Sequence, residues 1–266
     1  MPHYADSSAS EPFDQATGLR RMFAGHRQRL LPLVANPFVP GSGALLECVS
    51  AALVNRGIEV LVIDAAASAP APREWARVDL AACIEPVTDG VSFLAARGLP
   101  LAHVDTRGSA AGFIDAVAAA APQAEVLLLH AEPTDLARML VGRAARPVLL
   151  GADRPESIKQ AYACCKLLAQ RCRLMTFDLL LTARDGNRRV PHIAGTLANC
   201  ADQFLGAVLR DWAAIDPLFD PAAPRNPALQ RLLAAQLDLQ DDPVVPAAHA
   251  AARHPTSRFG SLTLTN

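Results

Sequence analysis

The residues with the most chemical promise sit in one short stretch, Asn36-Pro-Phe-Val-Pro-Gly-Ser-Gly43, which follows the apolar run Leu30–Ala35 and precedes a helical pattern. A glycine-rich turn between a strand and a helix can cradle phosphates through its backbone N–H groups. For phosphoryl transfer it also needs a lysine reaching the terminal phosphates and a Ser/Thr hydroxyl on Mg²⁺. Gly41, Ser42 and Gly43 supply the turn, but the only lysines in the chain are Lys159 and Lys166. Arg27, Arg29 and Arg56 lie before the strand or after the helix, too far along the chain to substitute. A neutral serine cannot replace a charge-assisted phosphate contact. Asp64, about twenty residues on, also invites a dinucleotide-binding reading. That reading fails on Leu46 at the third glycine position and on Pro37 and Pro40, which remove two backbone donors. A tight turn with no ligand is the simpler alternative. His130, at the end of a later apolar run, reads as a structural histidine, and Asp64 as a loop cap.

The elements around this loop alternate. Leu30–Ala35 reads as a buried strand in spite of Pro32, Ala44–Arg56 as a helix closed by Gly57, and Ile58–Asp64 as a strand. Helices are expected around 75–84, 89–97 and 110–120, with an extended Leu101–Asp105 between the last two. Strands are expected at Glu125–His130, Pro147–Gly151 and Leu174–Thr182. Helices are expected at Asp135–Val141, Ser157–Gln170, about Ile193 to Leu209, and Pro227–Leu239. Continuous apolar strands alternating with helices predict an α/β fold, a mostly parallel sheet flanked by helices on both faces, with ligands at the carboxyl ends of the strands. The chain divides into an N-terminal arm (1–24), an α/β domain (25–215), and a C-terminal helix with a Pro/Ala-rich tail expected to be disordered (216–266).

Composition narrows the classes. The 266 residues are 51% hydrophobic, yet no apolar run approaches the length of a membrane span, and the first residues lack a secretory pattern, so a cytoplasmic protein is expected. A net charge of −1 gives no general attraction to nucleic acid. The stretch from Pro243 lacks a basic amphipathic helix, so strong direct membrane binding is not expected. Six scattered cysteines without CxxC spacing read as reduced, mostly buried thiols, and no metal site is expected.

Near the N-terminus, Asp14-Gln-Ala-Thr-Gly-Leu-Arg-Arg21 reads as a short helix capped by Asp14. It closely resembles the DQAxGLR motif that opens the FlhG (FleN, YlxH) flagellum-number regulators, relatives of the MinD and ParA ATPases with their deviant Walker A phosphate loop. Ala51–Asp64, Asp153–Tyr162 with Lys166, and Ile193–Gly206 resemble further segments of that group. The resemblance implies a P-loop NTPase fold of MinD/ParA type, with ATP and Mg²⁺ as family cofactors. It also marks what is missing. The family's signature lysine, phosphate lysine and Mg²⁺ threonine fall on Pro37, Ser42 and Gly43, its water-positioning acid on Ala66, and its Walker B acid at or beside His130. Only Gly41 and Asp64 persist. The nucleotide site (Gly41, Ser42, Gly43, Asp64) is therefore read as degenerate, with no catalytic residue and no bound cofactor expected. The family's role is to set flagellar number and placement, its N-terminal motif stimulating the SRP-type GTPase FlhF. By that resemblance Asp14, Gln15, Gly18, Leu19, Arg20 and Arg21 form a partner-binding element. Gln15 is placed to order a hydrolytic water in trans, and Arg20 and Arg21 to meet a phosphate site or an acidic surface. FlhF and flagellar basal-body or regulatory proteins are the implied partners, with recruitment to the cell pole or flagellar base. Two alternatives stand beside this reading: an active ATPase with an unusual loop that dimerises on ATP, and a partitioning or placement adaptor unrelated to flagella.

Overall fold

In a computed structural model, the structure describes residues 28–184, 186–216 and 226–238. The segment carrying Asp14, Gln15, Gly18, Leu19, Arg20 and Arg21 lies outside the described residues. Eight strands form one sheet in the order β3-β4-β2-β5-β1-β6-β7-β8. They are β1 (Arg29–Val34), β2 (Val60–Asp64), β3 (Glu85–Thr88), β4 (Val91–Ala95), β5 (Val126–Ala131), β6 (Val148–Ala152), β7 (Thr176–Thr182) and β8 (Val208–Ile215). All neighbours pair in parallel except β3, which runs antiparallel to β4. The expected α/β architecture, a mostly parallel sheet flanked by helices, is the one observed.

The central strands are apolar throughout because helices cover both of their faces. Leu31 and Leu33 of β1, Val60 and Val62 of β2, and Val126 and Leu128 of β5 pack with helices α1 (Ser42–Val54) and α7 (Pro227–Asp238). The alternate residues, Leu61 and Ile63 of β2 and Leu127 and Leu129 of β5, pack on the other face. That face is covered by α3 (Ala111–Ala120), α4 (Pro133–Met139), α5 (Pro155–Cys172) and α6 (Val190–Leu205). The short α2 (Leu99–Ala102) and two 3₁₀ turns, Glu74–Arg77 and Ala81–Cys83, complete the described helical elements.

Pro32 is tolerated in the middle of the sheet for a geometric reason. Arg29 and Ala35 donate their N–H groups toward β5, so odd-numbered residues of β1 face β5 and Pro32 faces β6. Pairing with β6 begins only at Leu33, so Pro32 deprives no ladder of a donor.

Four expected elements are corrected. Residues 89–97 are not a helix: Asp89-Gly90, with Gly90 at φ 74°, turns β3 into β4, and this two-residue Asp-Gly connection is a favoured hairpin turn. The region 75–84 is two 3₁₀ turns, and Leu101–Asp105 is not extended but begins in α2, which Gly98 at φ 74° initiates. The helix expected to run to Leu209 ends at Leu205, where Gly206 (φ 65°) takes the left-handed C-cap conformation and β8 follows as an edge strand.

α7 packs against β8 and α1 and is held by polar contacts at both ends. At its start, Asn226 Oδ1 accepts the N–H groups of Ala228 and Leu229, and Asn226 Nδ2 donates to the Ala214 carbonyl. Toward its other end, buried Gln236 donates from Nε2 to Asp178 Oδ2 (2.7 Å) and to the Arg146 carbonyl (2.9 Å). Asp178 and Arg146 form a dry ion pair at 2.9 Å. Burial pushes the Asp178 carboxyl above its ordinary range, although the Arg146 guanidinium and the Gln236 donor pull the other way.

Candidate functional site

The carboxyl ends of β1, β2 and β5 adjoin one another in the centre of the sheet, the place where open α/β folds bind ligands. β1 delivers the loop 35–41 and the first turn of α1, β2 delivers Asp64, and β5 delivers His130. Strand alternation directs Asp64 and His130 to the same face as α1. Asp64 continues the row of Val60 and Val62, and His130 continues the row of Val126 and Leu128.

The loop is built around Asn36, which is 5% exposed. Its Nδ2 donates to the Leu150 carbonyl (2.8 Å), to the Ser157 carbonyl (2.9 Å) and to Ser157 Oγ (3.1 Å), tying the end of β1 to β6 and the first turns of α5. Ser157 Oγ in turn accepts the Ala152 N–H. The Asn36 side chain and backbone carbonyl then consume the next donors, since Phe38 N–H goes to Asn36 Oδ1 and Val39 N–H to the Asn36 carbonyl. Pro37 and Pro40 have no N–H. Val39 is drawn into the core beneath α1. Between Pro37 and Pro40, therefore, two amides are absent and two are engaged within the loop. Gly41 (φ 71°) is required for its left-handed conformation at the N-cap of α1. A Cβ there would meet nothing within 4 Å, so the glycine serves the turn and not close packing. The first N–H groups of α1 carry no side-chain cap.

Asp64 and His130 are register partners on adjacent strands. His130 Nδ1 lies within hydrogen-bond distance of Asp64 Oδ1, at 2.9 Å. The same Oδ1 accepts the Ala66 N–H at 3.3 Å. The histidine is 1% exposed, and its Nε2 has no hydrogen-bond partner among the described residues. Nearby, Glu132 Oε1 accepts the Ala67 N–H, which anchors the strand-to-loop exit of β2 on β5's side. The reading of Asp64 as a loop cap and of His130 as a structural residue does not contain their pairing. Only register reveals it, because 66 residues separate them.

The fit of Mg²⁺ and a nucleotide to this donor set is poor. Mg²⁺ seeks near-octahedral oxygen ligands, usually carboxylate, water and phosphate. Here Asp64 Oδ1 is engaged by an imidazole, Gly43 has no hydroxyl, and Ser42 has no charge to offer a phosphate. Gly41, Ser42 and Gly43 are brought to the same end of the sheet as Asp64, yet no hydrogen bond joins the loop to Asp64 among the described residues. No step of phosphoryl transfer can be assigned to these side chains. Among the described residues there is also no group of three or more His, Cys, Asp or Glu side chains arranged for a metal ion.

All six cysteines are free thiols, with Cys83, Cys164 and Cys165 buried and the others half-buried. Burial pushes the Cys164 and Cys165 thiols up to about 12, which leaves them protonated and unreactive at neutral pH. No helix among the described residues is long and apolar enough to cross a membrane.

No protein-family model and no curated protein matches the chain. Solved structures do. The MinC:MinD cell division protein complex of Aquifex aeolicus matches with a TM-score of 0.54 and 12% identity over 78% of this chain and 96% of that one. A ParA family ATPase from Chlorobium tepidum TLS matches with a TM-score of 0.53 and 11% identity over 80% and 98% of the two chains. Cobyrinic acid a,c-diamide synthase from Mycobacterium smegmatis, with bound ATP analog and magnesium, matches with a TM-score of 0.57 and 14% identity over 81% and 96%. At these identities the likeness establishes the fold, which is that of the MinD/ParA-type P-loop NTPases.

Proposed function

We propose that this chain is a MinD-like regulator of flagellar number and placement in which ATP hydrolysis has been lost, and that it acts by stimulating an SRP-type GTPase of the FlhF kind through its N-terminal motif. The observation that supports the loss is the loop itself. Its proline-flanked amides are absent or spent on Asn36, and Asp64 is engaged by His130. A fold that keeps its sheet, helices and core while Asn36 and His130 engage the loop and Asp64 suits a platform for partner binding. The solved structures it resembles include cell-division and plasmid-partition proteins, which fits a role in placement.

The motif at Asp14–Arg21 supplies the rest of the reading. A short segment can order on a partner and present Gln15 and Arg20 to that partner's active site. A peptide spanning Ser7–Ala24 is expected to raise the GTPase rate of the cognate FlhF-like protein, and Gln15→Ala or Arg20→Ala to abolish the effect. A saturating peptide that leaves the rate unchanged would overturn this role. For the nucleotide site, calorimetric titration of the full chain with Mg-ATP is expected to give no tight binding, and low-micromolar affinity would return the reading to an active ATPase.

A further inference from the structure

On the sheet face opposite α1, an open cavity of about 460 Å³ lies among the loop Asp105–Ser109, α4 and the end of α5. Its lining brings together three guanidinium-bearing residues from three separate elements, Arg107, Arg138 and Arg171, with Asp105 as the only acid. Arg138 is shared with Asp135 at 3.1 Å. Arg107 and Arg171 have no acidic partner among the described residues. Three residues of one sign lining a single concavity favour an anion there.

The walls are fixed without a ligand. Asp105 Oδ1 accepts the N–H groups of Arg107 (2.9 Å) and Ser109 (2.8 Å), and the Gly108 N–H donates to the Asp105 carbonyl. Ala110 N–H and Ser109 Oγ both donate to the Arg138 carbonyl, which binds the loop to α4, while Cys172 Sγ donates to the Ala137 carbonyl and binds α5 to α4. These bonds engage the N–H groups of Arg107, Gly108, Ser109 and Ala110, so recognition falls to the arginine side chains. Guanidinium forks match phosphate oxygens two at a time. The volume lies within the range of small-molecule sites and exceeds what one phosphate fills. The cationic surface is a compact notch and the chain carries a net charge of −1, neither of which suits a polynucleotide. We infer that this cavity binds a small anion bearing linked phosphate groups, at a site separated by the sheet from the loop at Gly41–Gly43.

The experiment is calorimetric titration of the full chain with sodium pyrophosphate, against sodium chloride at matched ionic strength. Saturable binding at one site is expected, weakened at least tenfold in the double variant Arg107→Gln/Arg171→Gln. It should be unchanged in Arg56→Gln, an exposed arginine beyond α1 on the other face. Arg107→Gln alone, at an exposed position, should weaken binding and keep the thermal transition in place, which separates lost binding from lost folding. Absence of saturable heat, equal binding by the double variant, or binding of a short DNA duplex in place of pyrophosphate would overturn the inference.

Discussion

Replacing Asn36 by alanine tests whether the loop is organised by its own side chain. The amide is 5% exposed, and its two Nδ2 hydrogens serve three acceptors, so one hydrogen is shared between the carbonyl and hydroxyl of Ser157 while the other goes to the Leu150 carbonyl. Alanine leaves the Leu150 carbonyl short of a donor in a dry environment, while the Ser157 carbonyl, inside α5, keeps the helical N–H of Ala161 one turn on. At about 1–3 kcal/mol for a group left unsatisfied, the loss comes to roughly 2 kcal/mol. The Phe38 N–H, released from Oδ1, belongs to an exposed residue and can be rehydrated at little cost. A loss of this size is a large fraction of the ~5–15 kcal/mol that holds a typical domain folded. With a urea slope of about 3 kcal/mol/M it lowers the midpoint by about 0.7 M. Urea unfolding followed by circular dichroism measures this. Asn36→Asp should be at least as damaging, because it turns the donor into an acceptor facing two carbonyls. A midpoint shift under about 0.3 M for the alanine variant, or an aspartate variant as stable as the wild type, would refute the assignment. Excess Mg-ATP should not restore the midpoint. Recovery would mean that a bound nucleotide shares the task of ordering the loop.

Two further outcomes follow from α7. Gln236→Leu removes a donor from Asp178 and from the Arg146 carbonyl, and is expected to lower stability by about 2–4 kcal/mol in the same urea assay. Asp211 receives a two-pronged bond from Arg231 that holds its carboxyl below the usual range, so its folded-state pKa lies beneath the unfolded value. That contribution is present above about pH 4 and is lost as the pH falls through the folded value. Asp178, raised by burial, acts with the opposite sign, and stability falls as pH rises from its unfolded toward its folded value. Arg231→Gln should therefore flatten the acid limb of the stability–pH profile without changing the slope that Asp178 sets above it, and an unaltered acid limb would count against the pair.

Local pattern is enough for the strands and helices whose apolar period is long. The runs at β1, β2, β5, β6 and β7 stand out because both faces of a parallel sheet are buried, and α5 shows because its polar face is distinct. The hairpin β3–β4 escapes a helical reading of 89–97 although Asp89-Gly90 is a strong turn signal. For Val91 to Ala95, alternation describes the residues better than a helical period. β8 is hidden when the preceding helix is run through Gly206, whose left-handed C-cap is a local stop. At the site, the want of a lysine at Pro37 and Ser42 and of a hydroxyl at Gly43 is visible directly in the residue types. The use made of Asn36 is not, since its partners Leu150 and Ser157 lie 114 and 121 residues away. The same holds for Arg146, Asp178 and Gln236, three polar residues in apolar surroundings that make sense only once α7 has closed over them.

The position of β1 has one more consequence. Gln28 donates from Nε2 to the Ala121 carbonyl at the amino end of the sheet, immediately before β1 begins, whereas Asn36 and the loop leave from the carboxyl end. Six residues of strand, about 20 Å, lie between the root of the first 27 residues and the ligand end of the fold. The two ends share a strand, and no hydrogen bond joins the side chains of Gln28 and Asn36, so substitutions in the loop at one end leave the Gln28 bond at the other untouched. A fold arranged in this way can change at one end without loosening the other.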